Sequence, residues 1–334
     1  MKGDIDEFSG GFKEPFRKKR PLKNVIKDKE DLLLGRVIFV SPESVHVHHN
    51  ENDYFCSIKG TLKKELKDNK NRLCPGDLVY FDPEKNQIAG LKNRKTYLNR
   101  QNPSQKYQEQ ILAANIDLLL ITTSIQEPGL NPYLIDLYII SARYFKLEPI
   151  IIINKMDLLS DVELANAKEL INQLKDQYQR LKIPILFVSA KTREGFKELE
   201  SIMKEKASVF SGASGVGKSS LINALEKSSL KVAPVSAKSL KGTHTTTSSK
   251  LLKLKLGGFC VDTPGIQSLG FKNFKPIEVR DLFDELSHVG CQFQDCLHLN
   301  EKGCKIKEAI EKKEVSLLRL ESYHRLLKEI ETSR

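Results

Sequence analysis

Residues Gly212–Ser219 combine three glycines with a lysine and a serine, a pattern suited to holding phosphate. The glycines let backbone N–H groups turn towards a phosphate without an intervening side chain. Lys218 would add positive charge at the β- and γ-phosphates, and Ser219 is placed to bind Mg²⁺. The residues that we expect to surround the phosphates are Gly212, Ala213, Ser214, Gly215, Val216, Gly217, Lys218, Ser219 and Ser220.

The segment Asn154–Asp157 has the residue types that distinguish guanine from adenine. Asp157 is positioned to accept hydrogen bonds from the ring N–H and the exocyclic amine of guanine, which adenine cannot offer in that arrangement. Lys155 would lie along the base plane, and Asn154 would tie the segment to the phosphate loop. Ser189–Lys191 follows the next predicted strand, where its backbone would reach the guanine carbonyl. The predicted base-contacting residues are Asn154, Lys155, Met156, Asp157, Ser189, Ala190 and Lys191.

Two further segments are expected to lie near the γ-phosphate. Asp262 ends a predicted strand, which is the position required of a carboxylate that contacts the water ligands of Mg²⁺. The backbone N–H of Gly265 can approach the γ-phosphate. One of Thr245 or Thr246 is expected to bind Mg²⁺ together with Ser219, and Thr246 is the preferred choice. These residues complete a predicted site for GTP with Mg²⁺.

Hydrolysis of GTP needs a group that positions the attacking water. Many GTPases carry a glutamine directly after Asp-Thr-Pro-Gly, but this chain has Ile266 there, and an isoleucine side chain cannot orient water. His244 is polar, titrates near neutrality and directly precedes the predicted Mg²⁺ ligands. We therefore treat His244 as the candidate catalytic residue. The alternative is a solvent-exposed loop histidine.

A cluster of cysteines near the C-terminus is typical of a metal site. It places three thiols and one imidazole within fourteen residues, and His288 lies nearby but outside the compact pattern. Four such ligands fit a closed, tetrahedral, structural Zn²⁺ site with no open position for catalysis. The alternative is a group of unrelated buried cysteines. The predicted zinc ligands are Cys291, Cys296, His298 and Cys304.

The order of these segments differs from that of a conventional GTPase, in which the phosphate loop comes first and the base-reading segment near the end. Here Asn154–Asp157 and Ser189–Lys191 precede both Gly212–Ser219 and Asp262–Gly265. The sequence therefore predicts a circularly permuted G domain. Gly265 then lies about twenty-five residues before the cysteine cluster, so we expect nucleotide state to bias the position of the C-terminal domain.

The composition indicates a soluble, multidomain protein. The chain has 334 residues, of which 40% are hydrophobic and 29% charged, and its net charge of +11 is consistent with a polyanionic partner. No signal peptide or membrane-spanning run is recognised, so we expect a cytoplasmic monomer without a membrane partner. Cys56, Cys74 and Cys260 lie in apolar, strand-like contexts and are expected to be buried, inert thiols.

Residues 1–31 lack periodicity and are predicted to form a basic, flexible tail. Residues 32–97 contain five short β-rich segments separated by turn signals, which predict an OB-fold β-barrel. The predicted strands of this barrel are Leu32–Val40, Ser44–His49, Tyr54–Lys59, Leu78–Asp82 and Gln87–Leu91.

Residues 98–272 alternate apolar strands with helices, which predicts a mostly parallel, three-layer α/β sheet for the permuted P-loop GTPase domain. Its predicted strands are Ile116–Thr122, Pro149–Ile153, Ile185–Val188, Ser208–Ser211, Leu251–Leu256 and Phe259–Asp262, the last two joined by a turn at Gly257-Gly258. Its predicted helices are Tyr133–Phe145, Val162–Leu181, Gly195–Lys204 and Lys218–Leu225.

Residues 273–334 are predicted to form a C-terminal zinc-binding α-helical domain. The last helix of this domain carries an apolar stripe at helical spacing. We expect this stripe to pack on the part of the domain that contains the cysteine cluster Cys291–Cys304, here called the metal module. The stripe consists of Leu317, Leu318, Leu320, Leu326, Leu327 and Ile330.

The motif order, the segment Gly242–Thr247 and the Cys-Cys-His-Cys cluster together resemble the RsgA (YjeQ) family of circularly permuted GTPases. The resemblance covers about residues 32–334. It implies an OB-fold, a permuted G domain and a zinc domain, and a role in maturation of the small ribosomal subunit with that subunit and its rRNA as partners. The family also has a hydrophobic residue in place of the glutamine, as at Ile266, whereas Thr243 departs from the basic residue that relatives often carry.

Two classes of function remain open at this point. One is an RNA-dependent GTPase that binds the immature small (30S) subunit in its GTP form, acts late in maturation and leaves after hydrolysis to GDP. The other is a nucleotide-gated rRNA-binding factor in which hydrolysis is incidental. A P-loop ATP kinase is a distant third, because the segment Asn154–Asp157 favours guanine.

Overall fold

The computed structural model describes residues 32–68, 72–101, 109–227, 250–262 and 274–332. They fall into two compact units. The first contains the described residues up to Leu73 together with Asp77–Asn93, and the second contains Cys74–Gly76 and the described residues from Arg94 onward. The predicted tail lies outside the described residues, and no described helix is long and apolar enough to cross a membrane.

The first unit is a closed five-stranded barrel with the neighbour order β1-β2-β3-β5-β4, which confirms the predicted OB-fold β-barrel. Its core is built from the inward residues of the strands, such as Val37, Val47 and Phe81. The elements are β1 Leu33–Val40, β2 Val45–His49, β3 Asn52–Ile58, α1 Gly60–Asp68, β4 Leu78–Asp82 and β5 Gln87–Leu91.

Helix α1 was not predicted. Only Leu62 and Leu66 of its nine residues are buried apolar positions, and both join the barrel core. Two apolar residues one turn apart are too few to give a recognisable helical pattern of apolar residues in a segment that is otherwise polar. Cys74 is buried as expected, but it lies in the loop before β4 and not in a strand.

The second unit contains a six-stranded sheet with the order β10-β9-β8-β11-β13-β12, in which only β12 runs antiparallel to its neighbour. This confirms the predicted permuted α/β fold. Its strands are β8 Leu118–Ser124, β9 Glu148–Asn154, β10 Ile185–Phe187, β11 Ala207–Ser211, β12 Lys250–Lys253 and β13 Phe259–Asp262. Its helices are α2 Pro132–Tyr144, α3 Asp161–Arg180, α4 Phe196–Met203 and α5 Lys218–Lys227.

Two details of this region differ from the prediction. A two-stranded antiparallel hairpin, β6 Tyr97–Gln101 with β7 Glu109–Ala114, precedes the sheet and was not predicted. Strand β12 ends at Lys253 rather than at residue 256, because Leu254 turns into the core and its N–H donates to the Gly258 carbonyl oxygen at 3.0 Å. The turn is therefore wider than the predicted Gly257-Gly258 pair.

The C-terminal part contributes four helices, α6 Pro276–Leu282, α7 Asp284–Ser287, α8 Ile306–Glu311 and α9 Leu317–Thr332. The apolar stripe of α9 is buried only from Leu320 onward, and Leu317 remains 55% exposed at the start of the helix. The buried part packs on the segment that carries the cysteine cluster, as predicted, since Cys304 and Ile306 belong to the same hydrophobic cluster. It also packs on α6 and on α2 beside the six-stranded sheet, since Ile140 belongs to that cluster too. The metal module and α2 therefore share one core.

Candidate nucleotide site and metal centre

The phosphate loop connects β11 to α5, and close packing requires glycine at two of its positions. Gly212 has φ +154°, and a Cβ there would lie 2.0 Å from the carbonyl oxygen of Thr122. Gly217 has φ +91°, and a Cβ there would lie 2.4 Å from Nδ2, the side-chain amide nitrogen of Asn154. Any side chain at either position would displace β8 or the base-reading segment.

Lys218, the first residue of α5, is folded over this loop. Its ammonium donates to the carbonyl oxygens of Gly212 at 2.8 Å and Ala213 at 2.7 Å, and burial lowers the pKa of its amine. The next residue, Ser219, is exposed in the first turn of the same helix. A positive charge, a hydroxyl and a helix N-terminus thus converge at one place, an arrangement that suits a phosphate chain.

Asn154 joins three of the predicted motifs. It ends β9 and is almost fully buried. Its side-chain amide donates to the carbonyl oxygen of Val216 in the phosphate loop at 2.9 Å, and its side-chain oxygen accepts from the N–H of Ala190 at 3.2 Å. The expected tie between Asn154 and the phosphate loop is therefore present, and a third segment is held by the same side chain.

The Asp157 carboxylate lies in the short 3-10 turn after β9 and is held by Ser189. The Ser189 hydroxyl donates to Asp157 Oδ1 at 2.6 Å and accepts from the backbone N–H groups of Lys191 at 3.2 Å and Thr192 at 3.0 Å. Lys191 Nζ lies 3.9 Å from the other carboxylate oxygen, on an exposed side chain. The Ser189 hydroxyl thus orients the Asp157 carboxylate.

The loop after β8 also borders this site and was missed by sequence reasoning. Lys155 Nζ donates to the Glu127 carbonyl oxygen at 2.6 Å, and Pro128 Cδ lies 3.6 Å from the position a Cβ on Gly215 would take. The position of this loop in the sequence could have identified it, since Pro128-Gly129 follows a buried parallel strand. Ligands bind at the carboxyl ends of such strands.

Of the remaining predicted residues, Asp262 lies within the described part of the chain. Asp262 is the last residue of β13, which places its backbone at the same edge of the sheet as the phosphate loop. The candidate catalytic His244, the Mg²⁺ candidates Thr245 and Thr246, and Gly265 lie outside the described residues.

The four predicted metal ligands are brought together. Their ligand atoms all lie within 4.8 Å of one another. His298 Nδ1 lies 3.5–3.6 Å from each of the three thiol sulfurs, and the Sγ atoms of Cys291 and Cys304 are 3.9 Å apart. A tetrahedron with metal–sulfur bonds of about 2.3 Å has edges of about 3.8 Å. The cluster therefore has the dimensions to hold one metal ion.

The surroundings of the cluster fix its ligands. His298 Nε2 donates to the Leu286 carbonyl oxygen at 2.9 Å, which leaves Nδ1 directed at the sulfurs. The N–H of Lys305 donates to Cys291 Sγ at 3.3 Å. Burial raises the pKa of the Cys296 thiol to about 12 and lowers the pKa of the His298 imidazole. A bound cation would have to drive deprotonation of the thiols.

Glu301 organises the loop between these ligands, and sequence reasoning did not single it out. Its carboxylate accepts from the backbone N–H groups of Leu297 and Leu299, both at 2.7 Å, and of Asn300 at 3.1 Å. Partial burial raises the pKa of this carboxyl, but the backbone donors outweigh it and hold the pKa near 2. The turn that presents His298 is thereby held by an ionised side chain.

Comparisons with known proteins agree with this geometry. The RsgA GTPase family model matches residues 91–272. The small ribosomal subunit biogenesis GTPase RsgA of Pectobacterium carotovorum is 35% identical over 318 residues, covering 89% of this chain and 86% of the relative. The protein of that name from Thermotoga maritima is 35% identical over 276 residues, covering 82% of this chain and 88% of the relative.

Solved structures show the same architecture. The crystal structure of YjeQ from Thermotoga maritima matches with a TM-score of 0.72 at 30% identity, covering 90% of this chain and 98% of that one. YloQ, described as a circularly permuted GTPase, matches in fold with a TM-score of 0.71 at 24% identity, covering 92% and 97%. The chain belongs to the RsgA GTPase family, whose circularly permuted fold it shares.

Proposed function

We propose that this protein binds the immature small ribosomal subunit, acts in its late maturation, and hydrolyses GTP to GDP and phosphate at a rate that the subunit stimulates. The observation that carries the proposal is the single Asn154 side chain that links the base-reading segment, the segment at Ala190 and the phosphate loop. The relatives' names supply the particle, and the net charge of +11 suits a partner made of RNA.

In this proposal the nucleotide is held at the carboxyl edge of the sheet. The Gly212–Ser220 segment surrounds the phosphates, Lys218 neutralises the β- and γ-phosphates, and Asp157 accepts two hydrogen bonds from guanine. Ser219 and Thr246 are the proposed Mg²⁺ ligands, supported by Asp262, and Gly265 contacts the γ-phosphate. Mg²⁺ would neutralise charge that develops on the phosphate oxygens. His244 is proposed to position the attacking water in place of the glutamine that Ile266 replaces.

We further propose that the Cys291, Cys296, His298 and Cys304 cluster holds one structural Zn²⁺, because three thiolates and one imidazole leave no position for a substrate. The proposed domain boundaries are 1–31 for the tail, 32–97 for the OB-fold, 98–272 for the permuted G domain and 273–334 for the zinc-binding domain. A monomer in the cytoplasm suits a factor that acts on the ribosomal subunit.

Cosedimentation tests the binding half of this proposal. The full chain, mixed with small subunits in a non-hydrolysable GTP analogue, is expected to pellet with them, and in GDP it is expected to stay largely in the supernatant. Large subunits in the same analogue serve as the control particle. Equal pelleting in both nucleotides would show that nucleotide state does not govern association.

Guanine selectivity is expected to depend on Asp157. Asp157→Asn should weaken GTP binding and favour the xanthosine nucleotide, because xanthine presents a carbonyl where guanine has its amine. The measurement is competition binding of GTP and xanthosine triphosphate to the full chain. The control is Glu194→Gln, which neutralises an exposed acidic residue a few positions beyond Ser189. It should leave the preference for GTP over xanthosine triphosphate unchanged. If Asp157→Asn keeps the original GTP preference, Asn154–Asp157 is not the base site.

Metal content is expected to distinguish His298 from His288. The purified chain should contain about one Zn²⁺ per molecule. His298→Ala should lose the metal and lower the thermal stability of the C-terminal part, because Nδ1 of His298 is the nitrogen among the sulfurs. His288→Ala, an exposed histidine outside the cluster, should keep it. Metal analysis of both variants is the check, and equal metal content would remove His298 from the ligand set.

A further inference from the structure

The outer surface of the barrel carries a stacked pair of rings on the β2–β3 hairpin. His46 lies directly opposite Phe55 in the antiparallel register. Their ring centroids are 4.8 Å apart and the ring planes differ by 18°. Val45, Val47 and Cys56, which alternate with them along the two strands, are buried in the barrel core. Because neighbouring side chains in a strand point to opposite faces, the ring pair lies on the outside.

Phe55 is exposed to an unusual degree for a phenylalanine. Its exposed fraction is 67%, against 52% for Phe293, and these are the two exposed phenylalanines in the part of the chain that the structure describes. His46 already covers one face of the Phe55 ring. Most of the remaining ring surface must therefore face solvent, and it offers a flat apolar platform for another ring.

Asp53 holds the imidazoles behind this platform. Its Oδ1 lies 2.6 Å from His48 Nδ1, and its Oδ2 lies 3.4 Å from His46 Nε2. Partial burial raises the pKa of the Asp53 carboxyl, but the hydrogen bond with His48 and the two nearby imidazoles outweigh that effect and lower it. The Asp53 carboxylate faces the edge of the His46 ring, and the stacked Phe55 ring covers one face of it. Less freedom is then lost when a further ring stacks on Phe55.

The chemistry of this face suits a nucleobase. Single-stranded nucleic acid binds by stacking its bases on aromatic side chains, and strands 2 and 3 of OB-folds are a usual site for it. Arg36 lies opposite His48 on β1 and alternates with the buried Val37, which places its side chain on the same outer face of the barrel and adds positive charge there. The net charge of +11 also favours RNA over an apolar protein segment.

We propose that Phe55, backed by His46, is a stacking site for one unpaired base of RNA. This inference rests on the proposed function for the source of the RNA, the small-subunit particle, and it assigns the outer face of the β2–β3 hairpin to contact with a single-stranded or flipped-out nucleotide.

The probe is a single-stranded oligoribonucleotide of about 12 nucleotides, within the site size of one OB-fold, carrying one 2-aminopurine. Anisotropy gives its affinity for the full chain, and quenching of 2-aminopurine reports stacking. Phe55→Ala should weaken binding roughly 5- to 150-fold, the range expected for one stacked base, and should abolish the quenching. The slope of affinity against salt should stay the same, because no phosphate contact is lost.

Three further variants sharpen the test. Phe55→Trp should retain affinity and quenching, because an indole stacks as well as a phenyl ring. Phe293→Ala, the other exposed phenylalanine, should bind as the parent chain does. Phe55→Leu should behave like Phe55→Ala, because leucine keeps an apolar surface but has no flat ring. Full affinity for the oligoribonucleotide in Phe55→Leu would show that the site needs no flat ring and would overturn the proposal, as would unchanged affinity and quenching in Phe55→Ala.

Failure of this inference can be told apart from failure of the proposed function. If small subunits stimulate GTP hydrolysis by the parent chain but Phe55→Ala binds the oligoribonucleotide normally, only the stacking site is wrong. If subunits do not stimulate hydrolysis, the proposed function fails, whereas loss of quenching in Phe55→Ala would still support the stacking site.

Discussion

Arg319→Ala is expected to lower the free energy of unfolding by about 3–5 kcal/mol, because it would leave the buried Asp136 carboxylate without a cationic partner and Glu285 with only Arg143, whose Nη1 lies 4.0 Å away. The Arg319 and Asp136 side chains are each 1% exposed, and Nη1 of the arginine lies 2.7 Å from Asp136 Oδ1. Arg319 also pairs with Glu285 in α7. Tyr178 of α3 donates to the same Asp136 oxygen at 3.1 Å. The Arg319 guanidinium thus links α9 to α7 and α2, and the Asp136 carboxylate links α2 to α3.

The matched control is Arg325→Ala on the same helix. Arg325 pairs with Glu329 at 3.1 Å and lies over the ring of Tyr133, but its side chain is exposed. Its removal should cost roughly 0–1 kcal/mol. Urea unfolding followed by circular dichroism suits a chain that has no tryptophan. Equal costs for the two arginines would contradict the role assigned to the buried network.

A second variant separates the buried charges from the packing. Arg319→Met combined with Asp136→Leu and Glu285→Met removes all three charges together. It should regain most of the lost stability, because an apolar replacement leaves no ion unpaired. If the triple variant is as unstable as Arg319→Ala, lost packing rather than unpaired charge explains the effect.

This network also limits how nucleotide state can reach the metal module. The permuted order predicts that Gly265, the residue expected to contact the γ-phosphate, biases the C-terminal domain directly. The structure shows that α9 is tied to α2 by a shared core and by Arg319. A movement of the metal module independent of α2 would break buried contacts. We therefore expect α2 and the metal module to move together.

His244→Ala is expected to lose a factor of about 10²–10³ in the subunit-stimulated rate of GTP hydrolysis, by analogy with other positioned catalytic groups. GTP binding and association with the subunit should persist, and release from the particle should become slow. The physical reason is that Ile266 supplies no group to orient water, and His244 is the residue proposed to do so. Single-turnover hydrolysis with excess small subunits is the measurement.

His288→Ala is the control for this variant, since it removes an exposed histidine from the metal module rather than from the segment proposed to lie near the phosphates. It should hydrolyse GTP as the parent chain does. Unchanged stimulated turnover in His244→Ala would remove this histidine from the mechanism and leave RNA or a backbone group to position the water.

Much of the sheet could be predicted because its strands are buried on both faces. Ile150–Ile153 and Leu118–Ile121 form continuous apolar runs, as parallel strands covered by helices must. The phosphate loop and the cluster of three cysteines and one histidine were predictable for a different reason, since the residues of each lie close together in a short segment. These features depend on local sequence alone.

The features that escaped prediction depend on distant partners. From the sequence alone, an arginine in α9 is expected to face solvent. Only the fold brings Asp136 of α2 next to Arg319. Helix α1 gains its stability from two leucines that reach the barrel core rather than from its own periodicity. Glu301 acts through three backbone N–H groups, and no residue type marks such a contact in a sequence.

The most direct test of the central claim is multiple-turnover GTP hydrolysis by the full chain, measured with and without purified small ribosomal subunits at one salt concentration. We predict slow hydrolysis by the chain alone and a large increase with small subunits, with no comparable increase from large subunits. Hydrolysis that is equally fast with and without small subunits would contradict the proposed subunit-stimulated GTPase.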